Sequence, residues 1–353
     1  MIKYIGSKRV LVPRIAAVAG ILRDRLLSGE APTALDPFCG TTRVAQALKR
    51  EGFTVTASDM ASYAEVLAAT YIATDGSRVR RSELQAKLDH LNALDGVPGY
   101  FTQVFCEEAR YFQPFNGARI DAMRTEIERI AVSREERAIL LTALMEAADR
   151  VDSTTGLQMA YLKQWAPRSF NPISLRMPEL VDGPGVAHRA DANALVPTLE
   201  PVDLVYLDPP YNQHSYHSNY HVWETLIRND APEAYGVARK RVDCRTVKSA
   251  YNSRVAAWRA FESLVRSVKA RTAIVSFSDE GFFGRSDIEQ LLGDAFGDVV
   301  AMPHSHPRYV GAKIGIYNPK GERVGRVSHV RNREYLFAAG EGVSHVLPDA
   351  EAA

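Results

Sequence analysis

The pattern of apolar and polar positions divides the chain into strand-like and helix-like segments. Short apolar runs predict buried strands at residues 33–36, 53–58, 202–207, 272–277, 299–302 and 334–338. Helical spacing predicts helices at 44–50, 63–72 and 287–296, each after one of these strands. Strands that alternate with helices in this way are typical of a doubly wound α/β sheet.

The middle of the chain has a different character. Apolar residues at helical spacing predict helices at 82–94, 118–130 and 134–151, with Ser133 as the N-cap of the last one. Proline and glycine become frequent between residues 154 and 185, which indicates loops. We therefore interpret residues 61–187 as a helical insertion into a sheet domain that residues 1–60 and 188–353 form together.

Composition and charge narrow the class of protein without naming a partner. The 353 residues are 46% hydrophobic and 24% charged, which suits a sizeable core, and the net charge is +1. The three cysteines are widely separated, which disfavours a disulfide framework or a cysteine zinc site. Neither a secretory signal nor an apolar run near the ~20 residues of a membrane helix is evident, so we expect a cytoplasmic protein.

The sequence Asp208-Pro209-Pro210-Tyr211 directly follows the predicted strand 202–207. Ligands of open α/β sheets bind beyond the carboxyl ends of strands, and two prolines make the loop there stiff. The Asp208 carboxylate and the Pro209 carbonyl are two acceptors for the hydrogens of an exocyclic amine. Tyr211 can stack on a base that has left the duplex. The motif is therefore the candidate catalytic site.

A second candidate site lies at the first strand-to-helix turn, Asp36-Pro37-Phe38-Cys39-Gly40-Thr41-Thr42. Gly40 permits close approach of the backbone to a ligand. About twenty residues later, Asp59 stands at a strand end, where a carboxylate can bind ribose hydroxyls. The turn differs from the dinucleotide fingerprint of nicotinamide enzymes. Together the two features predict a pocket for an adenosine-containing cofactor, and Lys8 is a candidate to neutralise a carboxylate of that cofactor.

Two strongly basic segments, within residues 237–271 and 308–333, predict a polarised face that meets phosphates. The second contains a predicted β-hairpin around residues 318–321. The candidate nucleic-acid contacts are Lys240, Arg241, Arg245, Lys313, Lys320, Arg323 and Arg326. His214, His217 and His221 are spaced like metal ligands, but no matching cysteine or acidic set accompanies them, so we predict no metal site.

Taken together, these motifs resemble the adenine-specific DNA methyltransferases of the Dam type. That family combines an N-terminal aromatic-x-G-x-K segment, an F-x-G-x-G loop, a strand-end aspartate and D-P-P-Y in one S-adenosylmethionine pocket. The resemblance implies a Rossmann-type methyltransferase fold and makes the insertion a target-recognition domain for double-stranded DNA. It also implies cofactor contacts, which involve Tyr4, Lys8, Asp36, Phe38, Gly40, Asp59, Asp208 and, for the cofactor adenine, Asp191.

The chain departs from the family pattern at Thr42, which stands where F-x-G-x-G has its second glycine. A β-branched residue restricts a turn that glycine leaves free, although Thr42 could cap the helix that follows. We expect direct methyl transfer from S-adenosylmethionine to the 6-amino group of adenine, without a metal or a covalent enzyme intermediate. A cognate restriction endonuclease is a candidate partner.

Three alternatives remain beside this prediction. The same chemistry suits adenine in structured RNA or the 4-amino group of cytosine, although aspartate rather than serine before Pro-Pro favours adenine. A catalytically silent nucleic-acid-binding protein of the same fold is the third. The presence of Lys8, Asp59, Asp208 and Tyr211 disfavours it.

Overall fold

The computed structural model describes most of the chain, namely residues 2–6, 8–27, 29, 31–210, 213, 215–279, 281–307, 316–317, 323–325 and 331–347. Only the backbone is described for residues 305–307, 316–317, 323–325 and 331–332. Tyr211, Lys313, Lys320 and Arg326 therefore lie outside the described residues, and the side chain of Arg323 is not described.

A seven-stranded sheet in the order β3-β2-β1-β4-β7-β11-β8 forms the centre of the molecule. The strand bounds are β1 Thr33–Asp36, β2 Thr54–Asp59, β3 Gly185–Arg189, β4 Val202–Leu207, β5 Ala234–Tyr235, β6 Lys240–Arg241, β7 Ala270–Ser278, β8 Val299–Pro307, β9 Ile316–Tyr317, β10 Arg323–Gly325 and β11 Arg331–Gly340. Strands β3, β2, β1, β4 and β7 pair in parallel, and β11 pairs antiparallel with β7 and β8. The predicted Rossmann-type α/β fold is confirmed.

Helices connect the strands and cover the sheet. Their bounds are α1 Val12–Arg25, α2 Arg43–Arg50, α3 Ser62–Ala68, α4 Arg81–Ala93, α5 Tyr100–Thr102, α6 Pro114–Ile130, α7 Arg134–Arg150, α8 Ala192–Leu195, α9 Tyr216–Asn219, α10 His221–Arg228, α11 Ala257–Ser267, α12 Arg285–Phe296 and α13 Val343–Val346. Single π turns, Ala69–Ala73 and Gln103–Glu107, extend α3 and α5. No helix of the described ranges is long and apolar enough to cross a membrane.

Both faces of the sheet are buried, which explains why its strands are apolar at nearly every position. Ala34, Leu204 and Tyr206 point into the larger core, which α1, α2 and α3 share. Their chain neighbours point to the opposite face, where they pack with α11 and α12. This alternation is the two-residue period of a strand.

The helices of the predicted insertion pack on the sheet domain. Leu88 of α4, Ile127 of α6 and Leu144 of α7 belong to the same apolar core as one face of the sheet. Helix α3 packs against β2, β3 and α7, and so links the two parts. The N-cap prediction for Ser133 is confirmed, because its hydroxyl accepts from the backbone N–H of Glu136 at 3.1 Å.

The basic segments are structured in part. Strands β9 and β10 pair antiparallel where the basic hairpin was predicted. Arg241, by contrast, is buried, with a side chain only 2% exposed. Its guanidinium bonds to Asp230 at 2.7 and 2.8 Å and to Asp243 at 3.0 Å. The prediction that Arg241 contacts nucleic acid is wrong, because two carboxylates already use its donors inside the fold.

We expect Arg241→Ala to destabilise the protein by ~2–4 kcal/mol, because it removes a buried guanidinium and leaves Asp230 and Asp243 with only the half-buried Arg228 as a paired arginine. The carboxylates are about a quarter to a third exposed, which keeps the loss below that of a fully buried pair. Urea unfolding measures the change. The control, Lys240→Ala on the same strand, should cost less than ~1 kcal/mol. A similar loss in both variants would contradict the structural role of Arg241.

Candidate active site

One cavity opens at the carboxyl ends of β1, β2 and β4 and brings most of the predicted site residues together. Those that line it are Tyr4, Lys8, Asp36, Phe38, Gly40, Asp59, Asp191, Asp208 and Pro210. Residues that sequence reasoning did not assign to the pocket also line it, among them Arg43, Met60, Tyr216, Val247, Ser249 and Tyr251. Arg43 and Met60 directly follow the predicted turn and Asp59, whereas the other four come from distant parts of the chain, where no local sequence signal marks them as neighbours.

The turn after β1 is built around Gly40. Its φ is +47°, and a Cβ there would lie 3.1 Å from Cε1 of Tyr4, so the position favours glycine on two grounds. The backbone N–H of Gly40 donates to Asp59 Oδ2 at 3.1 Å, and that of Ala61 donates to Oδ1 at 3.0 Å. Asp59 therefore fixes the turn as well as facing the cavity. Burial raises its pKa, and these hydrogen bonds oppose the shift.

Thr42 adopts a left-handed conformation, with φ at +62°, in a fully buried position. Its hydroxyl donates to the carbonyl of Thr41 at 2.7 Å and accepts from Gln46 Nε2 at 2.9 Å. It makes no capping bond to the backbone of α2, so the cap prediction is wrong. The threonine thus keeps the backbone conformation that glycine would adopt freely, at the cost of strain.

Asp208 lies at the end of β4, beside two other buried charges. Lys8 Nζ is 3.0 Å from Asp208 Oδ1 and 2.6 Å from Glu334 Oε1, and Ser276 donates to the same Glu334 oxygen at 3.0 Å. Burial raises the pKa of Asp208 to about 6; Lys8 opposes the shift and Glu334 adds to it. Glu334, on the antiparallel strand β11, is a member of the site that the sequence did not reveal.

Three tyrosine rings form one wall of the site. Tyr4 packs against both Tyr220 and Tyr216, at centroid distances of 4.5 and 5.2 Å, and the latter two rings lie 6.3 Å apart. The Tyr220 hydroxyl accepts from the backbone N–H of Ile5 at 2.5 Å. A Cβ on Gly6 would lie 2.7 Å from the Tyr216 hydroxyl. The N-terminal segment is thereby held against the chain that follows Asp208-Pro209-Pro210.

Another part of the cavity lining combines aromatic rings with fixed polar groups. The ring of Tyr251 meets that of Phe38 edge-on at 5.2 Å, and its hydroxyl donates to Asn193 Oδ1 at 2.8 Å. Asp191 caps helix α8, since its Oδ1 accepts from the backbone N–H groups of Asn193 and Ala194 at 2.9 and 3.2 Å. This part has the surfaces that an adenine ring needs, namely aromatic faces and fixed polar edges.

The histidines do not converge on one site in the described residues. His217 bonds to Asp243 at 3.0 Å, whereas buried His221 faces the carbonyl of Gln158 at 2.8 Å. Burial lowers the pKa of His221 to about 3. Cys244 lies beside His217 and Asp243, but Arg228 and Arg241 already neutralise Asp243. We assign no metal to this cluster.

The strand order and the cavity at the carboxyl ends of β1, β2 and β4 define a Rossmann-type methyltransferase. The family is shown by sequence: residues 4–277 match the model of the D12 class N6 adenine-specific DNA methyltransferases. The chain belongs to that family. The predictions of the family and of S-adenosylmethionine as its cofactor are confirmed by this membership.

Named relatives are modification enzymes. The chain is 30% identical to "Modification methylase StsI" of Streptococcus sanguinis over 86% of its own length and 48% of that protein. It is 29% identical to "Type II methyltransferase M.NlaIII" of Neisseria lactamica over 94% of its own length and 99% of that protein. A magnesium protoporphyrin IX methyltransferase from Synechocystis with bound SAM aligns with 94% of this chain and 79% of its own, at 10% identity and a TM-score of 0.30, which is too low to bear on the fold.

The residues of the cavity suit S-adenosylmethionine. Asp59 would supply acceptors for ribose hydroxyls at the strand end, and the Gly40 turn leaves room where a Cβ would collide with Tyr4. Phe38 and Tyr251 would offer apolar surface to the adenine. The Nε of Arg43 is buried without a hydrogen-bond partner in the same cavity, and an anionic group of the cofactor would satisfy it.

We expect Thr42→Gly to be more stable than Thr42→Ala by about 1 kcal/mol. Both variants lose the hydroxyl and its bond to Gln46, but only glycine adopts a positive φ without strain. Urea unfolding of the two purified variants measures the difference. Equal stability, or a more stable alanine variant, would contradict a strained turn at residue 42.

Proposed function

We propose that this chain transfers a methyl group from S-adenosylmethionine to the 6-amino group of adenine at a specific site in double-stranded DNA. The chain spans 48% of the length of the StsI methylase, so the activity of that longer protein is a proposal for this chain. The observation that carries the proposal is the position of Asp208. Asp208 directly follows β4 and lines the same cavity as Asp59 and Gly40.

Asp208 and the loop after it supply the chemistry of the reacting amine. When bound, S-adenosylmethionine supplies an electrophilic methyl group on a sulfonium. The ionised Asp208 carboxylate and the Pro209 carbonyl accept the two amine hydrogens and so direct the nitrogen lone pair towards that methyl group. Pro209 and Pro210 keep both acceptors in place, and Tyr211 stacks on the flipped adenine.

Lys8 positions Asp208. Its ammonium lies 3.0 Å from one carboxylate oxygen, inside the fold, and favours the ionised form that accepts from the amine. Tyr4 and Phe38 exclude water from the cavity, while Asp36 and Asp191 complete its polar lining. Exclusion of water strengthens each of these interactions.

The DNA would lie over the cavity and along the helical part of the chain. Residues 61–187 form the proposed target-recognition part, and residues 1–60 and 188–353 the catalytic part. The proposed phosphate contacts are Lys240, Arg245, Lys313, Lys320, Arg323 and Arg326. Arg245 lies over the ring of Tyr235 at 4.2 Å, which orders its side chain beside the β5–β6 pair.

The relatives suggest a role in modification that protects DNA from a cognate restriction endonuclease. Both StsI and NlaIII are named as modification or type II methylases. We propose such an endonuclease as the functional partner of this chain, within the cytoplasm. Adenine in structured RNA remains the second candidate substrate, and methyl-transfer assays on duplex DNA and on structured RNA distinguish the two.

We expect Asp208→Ala to lower the rate of methyl transfer by more than tenfold, because it removes one acceptor from the reacting amine. Transfer of labelled methyl groups to duplex DNA and to structured RNA measures the rate and the substrate. Circular dichroism of the variant controls for folding. A folded variant that retains more than about a tenth of the wild-type rate, a loss of under ~1.4 kcal/mol, would contradict the proposed role.

The pKa of Asp208, about 6, predicts the acidic limb of the pH–rate profile. Activity needs the carboxylate, so it should be lost as pH falls through about 6. Glu334→Gln removes a negative neighbour, lowers the pKa of Asp208 and should move the limb to lower pH. Lys8→Gln removes the cation and should move the limb to higher pH. Single-turnover rates across pH test this, and shifts in the same direction in both variants would contradict it.

A further inference from the structure

The charge of Lys8 is already shared between two carboxylates. Its side chain is 5% exposed, and Nζ lies 3.0 Å from Asp208 Oδ1 and 2.6 Å from Glu334 Oε1. A third anion at Nζ would have to enter a site that already holds one cation and two carboxylates. The sequence-based expectation that Lys8 neutralises the cofactor carboxylate therefore does not suit the geometry of the ammonium group.

Arg43, like Lys8, is a basic side chain that lines the cavity. It is the first residue of α2 and directly follows the turn at Gly40, Thr41 and Thr42. Its Nε is buried and makes no hydrogen bond, and no carboxylate in the described ranges forms an ion pair with it. A buried guanidinium donor without a partner costs free energy, which an anionic ligand would recover.

The surroundings of Arg43 also favour an anion. Burial lowers the pKa of Arg43, and the neighbouring charge of Arg9 lowers it further; Glu146 opposes the shift but does not reverse it. Helix α2 begins without a side-chain cap from Thr42. The positive end of the α2 dipole lies at Arg43, the first residue of the helix, and favours an anion there.

We infer that Arg43 binds the carboxylate of the methionine end of S-adenosylmethionine, while Lys8 serves Asp208. The inference rests on the proposed function, since it assigns a contact to the cofactor of that reaction. A guanidinium presents parallel N–H donors that match the two oxygens of a carboxylate. The carboxylate would meet the start of α2, and the sulfonium would then lie between α2 and Asp208.

The inference is tested by comparison of two ligands that differ only in the carboxylate. Calorimetric titration gives the affinities of the full-length protein for S-adenosylmethionine and for decarboxylated S-adenosylmethionine. Arg43→Gln should weaken binding of the first about 10- to 100-fold, as loss of charge-assisted hydrogen bonds does. It should change binding of the second less than about threefold. Arg43→Lys should fall between the wild type and Arg43→Gln, because it keeps the charge but loses the fork.

Two further variants serve as controls. Arg9→Gln removes an exposed positive charge beside Arg43 and should leave the ratio of the two affinities unchanged. Lys8→Gln should change both affinities by a similar factor. If Lys8→Gln removes the preference for the carboxylate and Arg43→Gln keeps it, the inference is overturned. The inference is also overturned if Arg43→Gln weakens DNA binding but leaves the affinities for both ligands unchanged. A wild-type protein that binds neither ligand would instead contradict the proposed function itself.

Discussion

The ion pair between Lys8 and Asp208, with Glu334 on the other side of the ammonium, is the interaction on which the site depends. It joins three remote parts of the chain: the N-terminal segment, the end of β4 and the antiparallel strand β11. A carboxylate in this buried position would otherwise take up a proton near neutral pH, as the direction of its pKa shift indicates. Lys8 favours the ionised form of Asp208, which accepts hydrogen bonds, and Glu334 pairs with the other side of the Lys8 ammonium.

The rest of the cavity is arranged around that ion pair. The rings of Tyr216 and Tyr220 hold Tyr4, and with it the N-terminal segment that carries Lys8. Asp59 holds the Gly40 turn at the neighbouring strand end. Arg43, at the start of α2, has no carboxylate partner among the described residues. It is the group inferred to bind the anionic end of the cofactor, because Lys8 is already paired with Asp208 and Glu334.

The sequence predicted what depends on local pattern and strand-end motifs. Strands β1, β2 and β4 and the residues that end them follow from apolar runs and from the turns at Gly40 and Asp208. The contribution of Glu334 could not be predicted, because it arises from the insertion of β11 between β7 and β8. The burial of Arg241 was missed because the sequence shows that the segment is basic but does not show that Asp230, outside the segment, pairs with Arg241. Thr42 was correctly marked as a departure, but its hydroxyl bonds within the turn and to Gln46 rather than capping α2.

The most direct test is to locate the methylated base in duplex DNA that has been incubated with the purified chain and S-adenosylmethionine. Sequencing at single-base resolution identifies the type of modified base and its sequence context. If Asp208 receives an adenine amine, N6-methyladenine will occur at one short sequence motif, and DNA incubated with the Asp208→Ala variant will lack it. Methylation of cytosine, methylation confined to RNA, or methyl transfer that persists unchanged in the variant would contradict this site and its substrate.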